Sequence, residues 1–183
     1  MLMRLWLSGY RSYELGIFNE QDLKVKVIKA ALKERLVAKL DQGLEWVITG
    51  PNLGVEQWGL EVVLELKKAY PDLKLALLEP YADFSSRWQE AKQVKLAQLR
   101  SEADFFGLVS KKPYQGIRQL QNYQNFCLNH SDQALFVYDE LYPGKLKFAY
   151  QASKKKANYP CELVTMDELQ TFAADYQENY GSW

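Results

Sequence analysis

The sequence predicts an α/β fold, a three-layer α/β/α sandwich in which helices cover both faces of a mostly parallel, doubly wound sheet. Short apolar runs alternate with segments of helical period along the chain. Several of those runs are apolar throughout, as strands buried on both faces are. A third observation is local: Val47-Ile48-Thr49 breaks into Gly50-Pro51-Asn52-Leu53-Gly54 and opens directly into a helix, so a strand end, a turn and a helix start share one edge of the sheet.

The first strand is expected near residues 3–8, in Met3-Arg4-Leu5-Trp6-Leu7, and stops at Ser8-Gly9. The polar and aromatic connection that follows, residues 9–18, is long for a strand-to-helix loop, and long loops often carry function. From about Asp22 to Leu40, Val25, Ile28, Leu32, Leu36 and Leu40 share one helical face with lysines on the other, and Gly43 stops the helix. A second strand near 44–49 leads into a helix near 54–70, whose apolar positions are Val55, Trp58, Gly59, Val62, Val63, Leu66 and Ala69. Leu73–Leu78 gives a third strand, ended by Pro80. A helix near 84–102, a strand at 105–109, a loop over 110–116 and a helix near 117–129 come next. Ala134–Tyr138 makes the fifth strand, Leu141-Tyr142-Pro143-Gly144 the loop into a helix near 145–157, and residues 161–165 the sixth strand. Leu169, Phe172, Ala173 and Tyr176 trace a C-terminal helix, and Gly181-Ser182-Trp183 is expected to fray. With no internal repeat, low-complexity tract or Pro/Gly/Ser linker, residues 1–183 read as one domain. Right-handed crossovers then place the loops after residues 8, 49, 79, 109 and 138 on a common carboxyl rim, where the ligand site is expected.

Composition narrows the functions. Lys and Arg number 23, as do Asp and Glu, so no net field draws nucleic acid, and Lys154-Lys155-Lys156 reads as the solvated face of a helix. No run approaches the roughly 20 apolar residues of a bilayer-crossing helix, and the apolar start lacks the features of a signal peptide. A soluble, cytoplasmic protein is expected. Cys127 and Cys161 stand in no Cys-x-x-Cys pattern and His130 is the only histidine, which argues against zinc sites and histidine-dependent triads and for two free thiols in a reducing compartment. His130, in Asn129-His130-Ser131-Asp132, is most simply a turn residue.

The candidate ligand-binding residues are Ser8, Gly9, Arg11, Gly50, Gly54, Glu56 and Asp139. Gly54 falls at a helix start, where unpaired backbone N–H groups and the macrodipole hold anions. Glu56 has two readings. It is a first-turn acid that favours the helix dipole, or a carboxylate that accepts hydrogen bonds from ribose hydroxyls or supports an oxocarbenium-like transition state, and it is the catalytic candidate if there is one. Ser8-Gly9 lets backbone approach a ligand, and Arg11 is either a surface arginine or a bidentate phosphate contact. Tyr10, Tyr13, Phe18 and Trp58 are candidates for stacking on a base, although Trp58, one turn into a buried helix face, reads first as a core residue. Asp139, at the end of an apolar strand, and Lys147, just inside the next helix, are candidates to face the rim, with Asp139 equally a turn or capping residue.

Three passages carry a resemblance: Leu7-Ser8-Gly9-Tyr10-Arg11 with Glu14-Leu15-Gly16-Ile17-Phe18, Leu53-Gly54-Val55-Glu56-Gln57-Trp58, and Asp132-Gln133-Ala134-Leu135-Phe136-Val137-Tyr138-Asp139. Together they resemble the YpsA family of the SLOG superfamily, the Rossmann-like group that also holds DprA and the LOG phosphoribohydrolases. The resemblance implies a pocket for a nucleotide or nucleotide-derived ligand and, for this branch, a link to cell division in Gram-positive bacteria. It matches Gly54 and Glu56 to the ligand-site glycine and acid, and Ser8, Gly9 and Arg11 to the first-loop motif. The Pro-Gly-Gly-x-Gly-Thr signature of LOG enzymes and the basic DNA-contacting surface of DprA are both missing.

The leading expectation is therefore binding of an AMP, ADP-ribose or dinucleotide type of ligand, with phosphate at Gly54 and the Gly9 loop and ribose near Glu56. The alternatives are hydrolysis of a nucleotide N-glycosidic bond and an adaptor that contacts division proteins through residues 10–18 or 113–126. Neither a nucleic-acid nor a membrane partner is expected. Domains of this kind often pair as homo-oligomers, though the sequence shows no interface.

Overall fold

The apolar runs become six parallel strands in a computed structural model that describes residues 3–180; the expected fraying of residues 181–183 lies outside it. In chain order the elements are β1 (Met3–Gly9), α1 (Leu23–Leu40), β2 (Leu44–Thr49), α2 (Val55–Leu66), β3 (Lys74–Glu79), α3 (Glu90–Glu102), β4 (Phe105–Leu108), α4 (Ile117–Asn129), β5 (Gln133–Val137), α5 (Lys147–Lys155), β6 (Cys161–Val164) and α6 (Met166–Tyr180). The sheet runs β4-β3-β2-β1-β5-β6. The chain thus winds outward from β1 to β4, crosses back and continues from β5 to β6, the doubly wound arrangement of a three-layer Rossmann-like fold.

Its central strands are buried on both faces, which explains their unbroken apolar character: Leu5, Leu7, Val47, Leu75, Leu77, Ala134, Leu135, Phe136 and Val137 have no exposed surface. Helices α1, α2, α3 and α6 pack against one another. At and just past the ends of α4 and α5, Lys156 Nζ donates to Leu128 O and the Ser131 and Tyr159 hydroxyls bond at 2.6 Å. Asp22 caps α1 by accepting from Lys24 N, as Asp before a helical run commonly does. Gly43, at φ 98°, turns the chain from α1 into β2.

Two segments differ from the sequence expectation. The helix expected near 84–102 begins only at Glu90; residues 80–89 instead form turns that bring Tyr81, Phe84 and Trp88 into ring contact, with Asp83 at φ 60°. The long connection after β1 contains a 3-10 turn, Ser12–Leu15, closed by Gly16 in the left-handed region. Among the described residues no helix is long and apolar enough to cross a membrane.

Candidate functional site

The loops after β1 and β2 are locked to each other. Ser12 N donates to Leu53 O and Val55 N to Tyr10 O, making an antiparallel bridge between Arg11 and Gly54. Two glycines permit the contact. A Cβ on Gly54 would lie 2.5 Å from Ser12 N and 2.6 Å from Tyr10 O, and its φ of 120° disfavours any other residue. A Cβ on Gly9 would lie 2.7 Å from Val55 Cγ1.

Beneath this bridge sits Glu56, only 2% exposed. One oxygen accepts from Ser8 Oγ at 2.9 Å, the other from Asn52 N at 3.0 Å and Asn52 Nδ2 at 2.7 Å. The carboxylate thereby ties the end of β1 and the turn after β2 to the first turn of α2. Gln57 adds a bond from Nε2 to Pro51 O at 3.0 Å. Gly50 completes the arrangement, since a Cβ there would fall 2.7 Å from Glu56 Oε1 and 2.4 Å from the Tyr123 hydroxyl.

Tyr123 reaches this point from α4. Its hydroxyl is buried without a hydrogen-bond partner of good geometry. Burial, together with nearby Cys127 and Glu56, holds its phenol well above the usual tyrosine value. The sequence reading missed this residue, although Gln119, Tyr123 and Cys127 recur at the four-residue spacing of one buried helix face.

Six of the seven candidate residues, Ser8, Gly9, Arg11, Gly50, Gly54 and Glu56, are thus brought together by direct contacts. Arg11 is half-buried, and its Nη1 donates to Gly9 O at 3.1 Å. Asp139 stands apart, across the Tyr10 ring. Its oxygens accept from Leu141 N at 2.9 Å and Met166 N at 3.1 Å, so it fixes the turn after β5 and the start of α6, which is the turn reading. The Tyr10 hydroxyl donates to Tyr142 O at 2.7 Å and accepts from Asp139 N at 2.9 Å, and burial pushes its phenol up to about 12. Glu14 Oε1 accepts from Lys145 N. Tyr10 and Glu14 therefore bridge the gap between the β1 and β5 loops, where the strand order reverses.

The expected run of open amides at α2 is also partly used internally, through Val55 N as above and through Gln57 N to Asn52 O. Arg11, Asn52 and Leu53 remain half-exposed. Of the aromatic candidates, Tyr10 and Trp58 are buried, with Trp58 Nε1 donating to Glu20, while Tyr13 and Phe18 are exposed. A ring cluster the sequence did not single out lies farther along the rim: Tyr81 contacts Phe84 at 5.2 Å and the exposed Tyr114 at 5.1 Å. His130 stacks on Phe126 at the end of α4, as a turn residue. Lys147 lines a separate cavity of about 660 Å³ with Tyr138, Glu140, Tyr150 and Lys154.

The sequence model of the YpsA family, described as the YspA SLOG family, matches residues 5–169. A UPF0398 protein of Ligilactobacillus salivarius is 53% identical, covering 96% of this chain and 98% of its own length. UPF0398 proteins of Levilactobacillus brevis and Lactobacillus delbrueckii subsp. bulgaricus are 51% and 49% identical, covering 97% and 100% of this chain and 96% and 100% of their own.

Proposed function

Because the chain belongs to the YpsA family of the SLOG group, we propose that it binds a nucleotide or nucleotide-derived ligand, of AMP, ADP-ribose or dinucleotide type, over the joined loops after β1 and β2. The observation that carries this reading is the Arg11–Gly54 bridge, which fixes the backbone of the half-buried Arg11 beside the N-terminus of α2. A guanidinium and a helix N-terminus attract phosphate together. Asn52 and Glu56 take the ribose side, with Glu56 holding Asn52 in place, and the Tyr81–Tyr114 rings offer a stacking surface for a base. Asp139 acts as a support behind Tyr10.

Binding is favoured over N-glycosidic hydrolysis because both Glu56 oxygens are engaged by Ser8 and Asn52, which suits a positioning role better than contact with a reacting bond. A cytoplasmic location and the link to cell division implied by family resemblance belong to the same proposal. Thermal unfolding with millimolar AMP, ADP-ribose and NAD tests it. At a hundred times Kd a ligand stabilises by about 2.7 kcal/mol, or roughly 5–10 °C for a chain of this length. The shift is expected to vanish in Arg11→Ala; wild-type protein unmoved by all three ligands overturns the reading.

A further inference from the structure

Strand β4 ends one side of the sheet and β6 the other, and the two edges are built differently. Native edges are commonly blunted by charge. Glu162 on β6 is ion-paired to Arg35 and Lys39. On β4 the sequence is Phe105-Phe106-Gly107-Leu108, with Phe105 52% and Phe106 40% exposed.

The direction of the free backbone groups follows from the register. Leu108 lies opposite Glu79, Val109 N donates to Glu79 O, and Pro80 has no N–H to bond in return. In a parallel ladder the amides of Phe105, Gly107 and Val109 therefore face β3, and those of Phe106 and Leu108 face outward. The faces differ as well. Phe106 lies under the Arg100 guanidinium at 5.3 Å, and Arg100 is itself held by Glu79. The Phe105 ring lies over Gly107, where a Cβ would fall 2.9 Å from it.

Charge along this edge is polar. Before the strand come the exposed Glu102, the last residue of α3, and Asp104, which is paired with Lys67 and bonded to Leu75; the exposed Lys111 and Lys112 follow it. Such an edge is complementary to itself only when one copy is reversed.

We infer that the partner of β4 is a second copy of this chain, paired antiparallel about a two-fold axis at Phe106 to form one continuous sheet. Phe106 then exchanges both backbone hydrogen bonds with Phe106 of the partner subunit. Phe105 faces the partner's Gly107 in a non-hydrogen-bonded pair, where strands approach most closely, and the two Phe105 rings, each lying over the Gly107 of its own strand, come together on that face. The acidic end of each edge, at Glu102, then comes to the partner's basic end, at Lys111 and Lys112. A parallel pairing would set acid against acid and base against base.

The pairing strand has four residues, so the contact is small by the standard of stable interfaces and a micromolar dimer is expected. Sedimentation or light scattering of the full chain from about 1 to 200 µM reads it directly. Phe106→Lys is expected to yield monomer throughout. Glu102→Lys alone and Lys111→Glu with Lys112→Glu should each weaken the dimer at least about tenfold, and the triple variant should recover it, since the opposed charges are restored in exchanged positions. Circular dichroism checks that each variant is folded. A monomeric wild type over this range, or a dimer indifferent to Phe106→Lys, overturns the inference. A dimer weakened by the charge reversals but not recovered in the triple variant also overturns it, because the antiparallel register would then be wrong.

Discussion

Replacing Glu56 with Ala tests whether its carboxylate holds the two loops together. The substitution removes the acceptor for Ser8 Oγ, Asn52 N and Asn52 Nδ2. Hydrogen bonds to a charged group contribute about 1.5–3 kcal/mol each, and a buried donor left unpaired costs about 1–3. Two effects reduce the simple sum: Asn52 is half-exposed, so water can reach it, and removing a buried charge relieves its own desolvation. A net loss of about 3–5 kcal/mol is expected, which corresponds to roughly 6–20 °C for a chain of this size. Glu56→Gln keeps one acceptor for Asn52, and the Ser8 hydroxyl can turn to accept from the new amide, so about 1–2 kcal/mol is expected. Urea unfolding followed by tryptophan fluorescence measures both, with Trp6 and Trp58 buried as reporters. A cycle combining Ser8→Ala with Glu56→Ala should show at least about 1 kcal/mol of coupling, since the two share one bond. Stability of Glu56→Ala within about 1 kcal/mol of wild type would refute the positioning role.

Three other outcomes follow from the same geometry. Tyr123→Phe removes a buried hydroxyl that has no partner, so it should leave stability unchanged or raise it slightly; a loss above about 1 kcal/mol would reveal a bond the geometry does not show. Gly54→Ala places a Cβ against the backbone of residues 10–12 at an unfavourable φ, and a loss of at least about 3 kcal/mol is expected in thermal unfolding, because backbone cannot yield as a side chain can. Burial pushes the Tyr10 phenol up to about 12 in the folded chain, above the value near 10 of an unfolded tyrosine. Its contribution is therefore intact below about pH 10 and is lost as pH rises through about 12. Tyr10→Phe should flatten that alkaline slope without abolishing it, since Tyr150 and Tyr159 are raised in the same direction.

Elements were legible where burial imposed a period. The β2 and β5 runs and the Val55–Val62–Leu66 face of α2 are apolar because they lie within the core, and each is found close to its expected place. The start of α3 was misplaced for a physical reason. Residues 84–89 carry helix-compatible side chains, but Phe84 packs on Tyr81 and Trp88, Tyr81 in turn on Tyr114, and that clustering competes with a helical turn. At the site, the glycines and Glu56 were visible because turn chemistry and a first-turn acid leave marks in local sequence. Tyr123 was not, since its role comes from α4 crossing to a point more than 60 residues away in the chain, where Gly50 leaves a gap.

Doubly wound sheets usually place ligands in the crevice where strand order reverses, because the adjoining loops part there. In this chain that point lies between β1 and β5, and it is spanned by side chains. Tyr10 bonds to the backbone at Asp139 and Tyr142, Glu14 bonds to Lys145, and a Cβ on Gly144 would fall 2.6 Å from Glu14 Oε1. Asp139 holds the β5 end of the same plug through Leu141 N and Met166 N. Two half-exposed polar residues, Arg11 and Asn52, lie instead on the β2 side, next to the helix start. Tyr10 therefore separates two roles that one sequence pattern had joined: its main chain binds the Gly54 loop through Val55 N, while its hydroxyl closes the β5 side. Tyr10→Phe is expected to loosen the β5 side while leaving an Arg11-dependent ligand shift in place. Loss of that shift in a folded Tyr10→Phe variant would show instead that the ligand lies across the reversal point.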